Sequence, residues 1–336
     1  MQNVGTPKFY IDYLSYSRAI GIGGTVTASG GYLPNNANSL IGLNPTQTIS
    51  GTATNVQAFS SVDFTLYDGM ENIFATDAMW CGIFGHNFAD SDDYHWAVGA
   101  KDNFQWATNL IPIVNTPIAF GNITDYNGWS LFNCTGLDGA SGDFRLSIGN
   151  PNMVNWDVKL GSVGLGKEYT MPHSPDLNLK MSIEMDGVKN IQTKGGATLS
   201  NASYTKPADW GNMGAWQLGG EKNYRSGRRR WDLSFSYLND SDIMAKVAAT
   251  TNYEATNGDY DVLNNPNENT LLDGTDFFSQ VWNKTMGGHL PFIFQPDGSN
   301  NNPDQFAICR FDMDSLQYDQ VANNVYNVKL KIRECW

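Results

Sequence analysis

The stretch that decides the fold is Arg228-Arg229-Arg230-Trp231-Asp232-Leu233-Ser234-Phe235-Ser236-Tyr237-Leu238. Its large apolar residues alternate with smaller polar ones, and they are Trp231, Leu233, Phe235 and Tyr237. A period of two is the pattern of a strand that buries one face. Three arginines stand at its start, in a chain whose formal net charge is -13. Charge segregated in this way favours contact between identical copies over catalysis.

Two further segments show the same alternation. Residues 328–333 alternate apolar with basic side chains, which predicts one packed face and one cationic face. Residues 177–185 also alternate, and Asp186-Gly187, a type I′ turn signal, separates them from residues 188–191. The sequence therefore predicts a β-hairpin over 177–191.

Short apolar runs broken by glycine, proline or asparagine recur through the first half of the chain. They predict strands over residues 9–14, 62–66, 78–84, 95–98, 110–113 and 144–148. Between residues 21 and 61 small and polar residues dominate, which predicts surface hairpins or one long loop.

Two helices are predicted in the second half. A capping residue, Asp240 or Ser241, precedes residues 242–249, and Thr275 precedes residues 276–286. Two consecutive glycines follow the second segment and supply the left-handed conformation that ends a helix.

Composition supports a β-rich protein. Of the 336 residues 41% are hydrophobic but only 16% are charged, and asparagine, serine, threonine and glycine fill the difference. These residues favour turns and strand edges over helix interiors. We therefore predict an all-β fold, mainly an antiparallel β-sandwich or jelly roll, with two or so short helices in the C-terminal half.

The length predicts two domains, because a single hydrophobic core seldom grows beyond about 300 residues. The sequence pattern changes near Gly149-Asn150-Pro151 and the glycine-rich segment 161–166, and we place the boundary there. We expect a jelly-roll β-sandwich over 1–155 and a second β-sandwich with short helices over 156–336. Residues 1–20 can pair with either domain.

Several function classes are disfavoured. A sequence pI near 4.6 argues against a nucleic-acid partner. The four cysteines lack zinc or redox spacing, and neither a nucleophile elbow nor a phosphate loop is present, so we expect no cofactor, no metal and no enzyme activity. The acidic run 90–95 is expected to be a solvated loop. The first residues lack signal-peptide features and no apolar stretch reaches membrane-helix length, so we expect neither secretion nor membrane insertion.

Two groups of residues are candidate contact sites. Basic side chains that cannot all be buried form a candidate subunit interface, with a merely solvated basic turn as the equal alternative; they are Arg225, Arg228, Arg229, Arg230, Lys329, Lys331 and Arg333. Aromatic and polar side chains in the first half form a candidate glycan or partner contact, with an interior position as the alternative for the tryptophans; they are His86, Asn87, Trp96 and Trp129.

Residues 80–88, Trp-Cys-Gly-Ile-Phe-Gly-His-Asn-Phe, resemble the Gly-Ile-Leu-Gly-His-Asn-Leu strand and turn of galactose-binding-like jelly-roll modules in bacteriophage tail-tip proteins. Residues 128–131 and 144–149 are similar to the closing strands of that module. The resemblance implies a jelly roll that serves attachment or glycan binding.

Residues 230–235, 289–295 and 305–311 resemble strands of distal-tail and baseplate-adaptor proteins of tailed bacterial viruses. Segment 252–274 has no counterpart in that family. The resemblance implies a virion protein made in the host cytoplasm, a homo-oligomeric ring, hexameric or trimeric, that joins the tail tube to host-recognition proteins.

We therefore expect a structural subunit of a tailed-bacteriophage virion, in contact with itself and with other tail or baseplate proteins. The alternative is a carbohydrate-binding protein that recognises a host surface glycan, and after it a glycan-degrading enzyme.

Overall fold

The computed structural model describes residues 5–21, 25–29, 37–44, 49–53, 60–65, 79–86, 95–100, 109–112, 129–135, 144–149, 156–184, 190–200, 228–243, 276–302 and 305–335. The first half contains β1 (Lys8–Asp12), β2 (Val26–Ser29), β3 (Ile49–Ala53), β4 (Ser60–Phe64), β5 (Met79–Phe84), β6 (His95–Ala100), β7 (Asn109–Pro112), β8 (Trp129–Thr135) and β9 (Phe144–Gly149). The second half contains β10 (Trp156–Leu160), β11 (Ser162–Thr170), β12 (Lys180–Glu184), β13 (Asn190–Gln192), β14 (Thr198–Ser200), β15 (Arg228–Asn239), β16 (Phe292–Gln295), β17 (Ala307–Phe311), β18 (Tyr318–Ala322) and β19 (Val325–Glu334).

One antiparallel sheet holds 11 of these strands, in the order β12-β15-β19-β17-β16-β1-β11-β5-β8-β7, with β18 added to β19. Strand β1 lies near the middle of this order and pairs on both sides. Phe9 is opposite Tyr169 of β11 on one side and Phe294 of β16 on the other. Both neighbours of β1 follow residue 155. Strands from both halves of the chain therefore hydrogen-bond into this main sheet, and the predicted domain boundary stays a prediction.

A second layer covers one face of the main sheet. Strands β2, β4, β9 and β6 form a separate 4-stranded sheet. Its Phe64 and Phe144 belong to the same buried cluster as Phe9 and Cys81 of the main sheet. Two sheets that share a core in this way form a β-sandwich. The predicted all-β, mainly antiparallel fold is confirmed.

The opposite face of the main sheet carries a smaller buried cluster. Tyr10, Trp80, Ile293 and Ile308 pack there, and register places Tyr10, Ile293 and Ile308 side by side on neighbouring strands. The middle of the sheet is thus buried on both faces, which explains why β5 is buried at all six positions.

Strand β1 is shorter than predicted, because a helix interrupts it. Helix α1 (Tyr13–Ala19) begins directly after Asp12, whose carboxylate accepts hydrogen bonds from the backbone N–H groups of Leu14 and Ser15. An aspartate in the N-cap position satisfies donors that the first helical turn leaves open. The predicted strand over 9–14 is therefore wrong after residue 12.

The helices of the second half differ in detail from those predicted. Helix α2 (Asp240–Ile243) starts two residues early, and residues 244–249 lie outside the described part of the chain. A π-helix, Phe278–Asn283, occupies the second predicted segment, and Asp276 accepts the N–H of Ser279 at its start. Gly287 and Gly288 have φ of +67° and +89°, as the sequence predicts, but the helix ends before them, at Asn283, with Lys284 as its C-cap. A 3-10 turn at Ala37–Leu40 completes the described helical elements.

Strand β15 confirms the alternation of the opening stretch over most of its length. Trp231, Leu233 and Phe235 are buried against the core. A β-bulge between Phe235 and Leu238 gives Tyr237 a φ of +63° and leaves its ring 76% exposed, while Leu238 takes the buried position. The bulge adds one residue to the strand and thereby reverses its phase.

The two strands predicted to form a hairpin over 177–191 pair with other strands in the described residues and not with each other. Strand β12 pairs with β15, with Lys180 opposite Asp232, and β13 pairs with β14. The turn residues 185–189 lie outside the described residues. Local alternation identified β12 correctly but could not specify a partner more than forty residues away.

Candidate assembly surface

Cross-strand register builds a charged surface at one end of the main sheet. Paired residues project to the same side of a sheet, and Ser182, Arg230, Arg333 and Arg310 stand in one row across β12, β15, β19 and β17. This row continues the face that carries Tyr10 and Ile308. We call it the charged face; its residues are Glu184, Arg228, Arg230, Asp232, Arg310, Asp312, Lys329, Lys331 and Arg333.

Acidic side chains within the chain already hold two of these arginines. Arg230 donates to Glu184 Oε1 at 3.2 Å and lies 2.9 Å from Asp312 Oδ2. Arg333 Nη2 lies 3.0 Å from Glu184 Oε2. The hydrogen bond to Glu184 and the charge of Asp312 raise the pKa of Arg230 above its ordinary value. Glu184 therefore bridges two arginines that would otherwise repel each other across neighbouring strands.

Arg229 points to the opposite side, toward the interior. Its Nε and Nη2 both lie 3.2 Å from the carboxylate of Glu334, which is buried, and its backbone N–H donates to the same carboxylate at 2.9 Å. Nη2 also donates to the carbonyl of Phe306, and the guanidinium lies 5.3 Å from the Trp231 ring. Because these internal contacts occupy the guanidinium group, we do not expect Arg229 to bind a neighbouring subunit.

The two lysines of β19 are accessible cations on this side of the sheet, together with Arg310 of β17 and Lys180 of β12. Lys329 and Lys331 are exposed, and their cross-strand partners are Ser234 and Asp232. No ion pair within 4.0 Å joins either lysine to another residue in the described ranges. Arg228 is half-buried opposite Glu184, and Arg225 lies outside the described residues.

Four members of the charged face were not identified from the sequence: Arg310, Glu184, Asp232 and Asp312. Arg310 is the single exposed residue of β17, whose other four side chains are buried. A lone charge at an alternate position of an apolar run is the signal that could have identified it. Glu184 and Asp312 carry no such signal, because only the tertiary structure brings them to Arg230.

The candidate glycan residues have a different environment. Trp129 is 1% exposed and packs in the cluster that contains Trp80. His86 is 5% exposed, its Nε2 lies 2.9 Å from Ser130 Oγ, and burial lowers its pKa to about 3. Neither ring is available to a sugar at the surface. Asn87 lies outside the described residues, and Trp96 is described only as a backbone position of β6.

Other chemistry has little support in the described ranges. These hold no group of three or more histidine, cysteine or acidic side chains placed to bind a metal ion. Cys81, Cys134 and Cys309 are buried free thiols, and burial raises the pKa of Cys309 well above its ordinary value and that of Cys335 to about 11. Thiols held protonated in this way are poor nucleophiles. No helix in these ranges combines the length and apolarity needed to cross a bilayer.

Comparison with known proteins adds no relative: no protein-family model, no curated protein and no solved structure matches this chain.

Proposed function

We propose that this chain is a structural subunit of a tailed-bacteriophage virion that assembles with copies of itself into a ring at the tail tip or baseplate. The observation that carries the proposal is the charged face, an outward array of basic side chains on a broad β-sheet in a chain of net charge -13. The resemblance of residues 230–235, 289–295 and 305–311 to tail strands supports it, since these segments contribute to β15, β16 and β17.

Ring formation requires a heterologous contact, in which one surface of a subunit meets a different surface of the next. Lys329 and Lys331 provide an accessible positive surface, while the rest of the chain carries excess negative charge. Attraction between unlike surfaces steers subunits into one orientation and disfavours contact between two like faces. The arginines that are paired internally keep the sheet end rigid instead of contributing to the contact.

The oligomeric state of charge-reversal variants tests this arrangement. The double variant Lys329→Glu/Lys331→Glu reverses the accessible charge without removing a described ion pair. Lys194→Glu, in the exposed turn between β13 and β14, makes the same kind of change away from the charged face. Native mass spectrometry should show a trimer or hexamer for the wild type and for Lys194→Glu, and smaller species for the double variant. A wild-type protein that forms no ring overturns the ring contact.

Particle composition tests the virion assignment separately. Quantitative mass spectrometry of particles purified from cells that produce the chain should find it at a fixed multiple of three or six copies per particle. Its absence from purified particles contradicts the proposal, whatever the oligomeric state of the isolated protein.

We favour assembly over carbohydrate binding, because two of the candidate glycan residues, His86 and Trp129, are buried. Binding to a host polysaccharide column by the monomeric protein would reverse that preference.

A further inference from the structure

Strand β12 forms one end of the main sheet. Its five residues pair with β15 in continuous register, from Lys180 opposite Asp232 to Glu184 opposite Arg228. Among the described residues no strand pairs with its other edge. A strand edge of this kind presents unpaired N–H and C=O groups to any chain able to add a further strand.

Apolar side chains of β12 are exposed at this edge. Met181 is 51% exposed and Ile183 is 55% exposed. Their cross-strand partners project to the same side of the sheet, but Trp231 is buried there and Arg229 is half-buried. The strand contains neither proline nor a bulge, two of the devices that block edge pairing, and its edge lysine, Lys180, blocks pairing only with a strand that does not neutralise it. Of the 8 large apolar residues exposed in the described ranges, the following lie within 177–199: Leu177, Met181, Ile183, Ile191 and Leu199.

The order of residues in β12 is complementary to itself. In an antiparallel pair of two copies centred on Ser182, Lys180 of one copy faces Glu184 of the other, and Met181 faces Ile183. Both pairs occur twice because the arrangement is two-fold symmetric. Opposite charges and apolar pairs directly across two strands stabilise a sheet, whereas a parallel arrangement in register would place like charges side by side.

The electrostatic surroundings suit the incoming lysine. Glu184 accepts from Arg230 through Oε1 and contacts Arg333 through Oε2. Each carboxylate oxygen can accept a second hydrogen bond. Lys180 is exposed and is joined by no ion pair to another residue of the described ranges, so its ammonium group is available to the neighbouring copy.

We propose that β12 pairs antiparallel with β12 of a second copy of this chain, across a two-fold axis at Ser182. The main sheet then continues from one copy into the next. This contact goes beyond the proposed ring and does not depend on a role in a virion, because it uses the sheet edge and not Lys329 or Lys331.

A cysteine at the two-fold axis tests the geometry. Directly opposite residues of an antiparallel pair have Cα atoms about 4.5–5.5 Å apart, within the range that a disulfide spans. Under mild oxidation Ser182→Cys should give a covalent dimer on a non-reducing gel. Ser315→Cys, an equally exposed position outside the strands, is the matched control and should remain monomeric on the gel, as should the wild type, whose cysteines are buried or half-buried.

Reversal of the lysine charge tests the complementarity. Lys180→Glu places two carboxylates opposite each other at both ends of the paired strands. Sedimentation equilibrium at low salt should show a dimer dissociation constant about tenfold higher than that of the wild type. Lys194→Glu should leave it unchanged.

The proposal is overturned if Ser182→Cys gives no covalent dimer, if Ser315→Cys cross-links equally well, or if Lys180→Glu associates like the wild type. It is equally overturned if the wild-type chain remains monomeric at every accessible concentration, which would favour a strand from a different protein. Double reversal of Lys329 and Lys331 distinguishes the two contacts, since it should abolish the ring and leave the Ser182→Cys cross-link intact.

Discussion

Asp12 and His86 are buried titratable side chains whose pKa values move in opposite directions. Burial raises the pKa of Asp12 to about 6, and its hydrogen bonds from Ser15, Leu165 and Leu14 lower it only in part. Burial lowers the pKa of His86 to about 3. A raised carboxyl pKa means that Asp12 stabilises the fold at acid pH and that this contribution is lost as pH rises. A lowered imidazole pKa means that His86 destabilises the fold as pH falls below about 6.5.

Asp12→Asn isolates the first contribution, because the amide retains a cap oxygen but does not titrate. The free energy of unfolding of the wild type minus that of Asp12→Asn should fall by about 2 kcal/mol between pH 4 and pH 7. Chemical denaturation at a series of pH values measures this difference, from which the titration of His86 cancels. A difference that does not change with pH would show that Asp12 titrates normally in the folded chain.

Arg229, which is half-buried, forms an ion pair with the buried carboxylate of Glu334, and this pair distinguishes Arg229 from its two arginine neighbours. Arg229→Met should destabilise the protein by about 3–5 kcal/mol, because it leaves the carboxylate of Glu334 without its cation. The double variant Arg229→Met/Glu334→Leu removes both charges and should recover most of that loss. Thermal and denaturant unfolding of the single and double variants measure the coupling, and equal stabilities would show that the pair is not buried as described.

At the scale of elements, the junction of β1 and α1 organises the main sheet. Strand β1 pairs on both sides and then turns into a helix capped by its own last residue, Asp12. Gly166 of β11 lies directly against this junction, where a Cβ atom would stand 1.8 Å from the carbonyl oxygen of Ile11. Backbone atoms held in a central pair of strands cannot move away from such an overlap.

Gly166→Ala should therefore destabilise the protein by about 3 kcal/mol or more. Gly195→Ala is the matched control, since the nearest atom to its added Cβ would be 4.0 Å away. Unfolding midpoints of the two variants, compared with the wild type, check the expectation. Similar midpoints for both variants would contradict the close approach of β11 to the junction.

At the scale of the whole molecule, association by the charged face must act against a net charge of -13. Copies with this charge repel each other at long range, so the ring contact depends on attraction between unlike surfaces. Salt screens both effects, and the Debye length falls from about 10 Å at 0.1 M to about 3 Å at 1 M.

The ring should therefore dissociate as salt rises from 0.1 M to 1 M, because exposed lysines such as Lys329 and Lys331 are fully screened. The two-fold contact through β12 should persist further, since backbone hydrogen bonds and the Met181–Ile183 pairs do not depend on ionic strength. Sedimentation velocity over a salt series should show the larger species disappear before the dimer. If the dimer is lost before the ring, the dimer contact does not consist of the backbone hydrogen bonds and Met181–Ile183 pairs of β12.

The sequence by itself determined that residues 230–235 and 328–333 are strands with one buried face, because alternation is a local property of each segment. It also determined the all-β class and the left-handed backbone of Gly287 and Gly288. Only the tertiary structure decided that Arg229 points inward while Arg230 faces Glu184, that β12 pairs with β15, and that Tyr237 is exposed. Each of these depends on residues distant in the chain, and one bulge is enough to reverse which face is buried. The physical reason is that periodicity specifies the two sides of a strand, whereas packing specifies which side meets which partner.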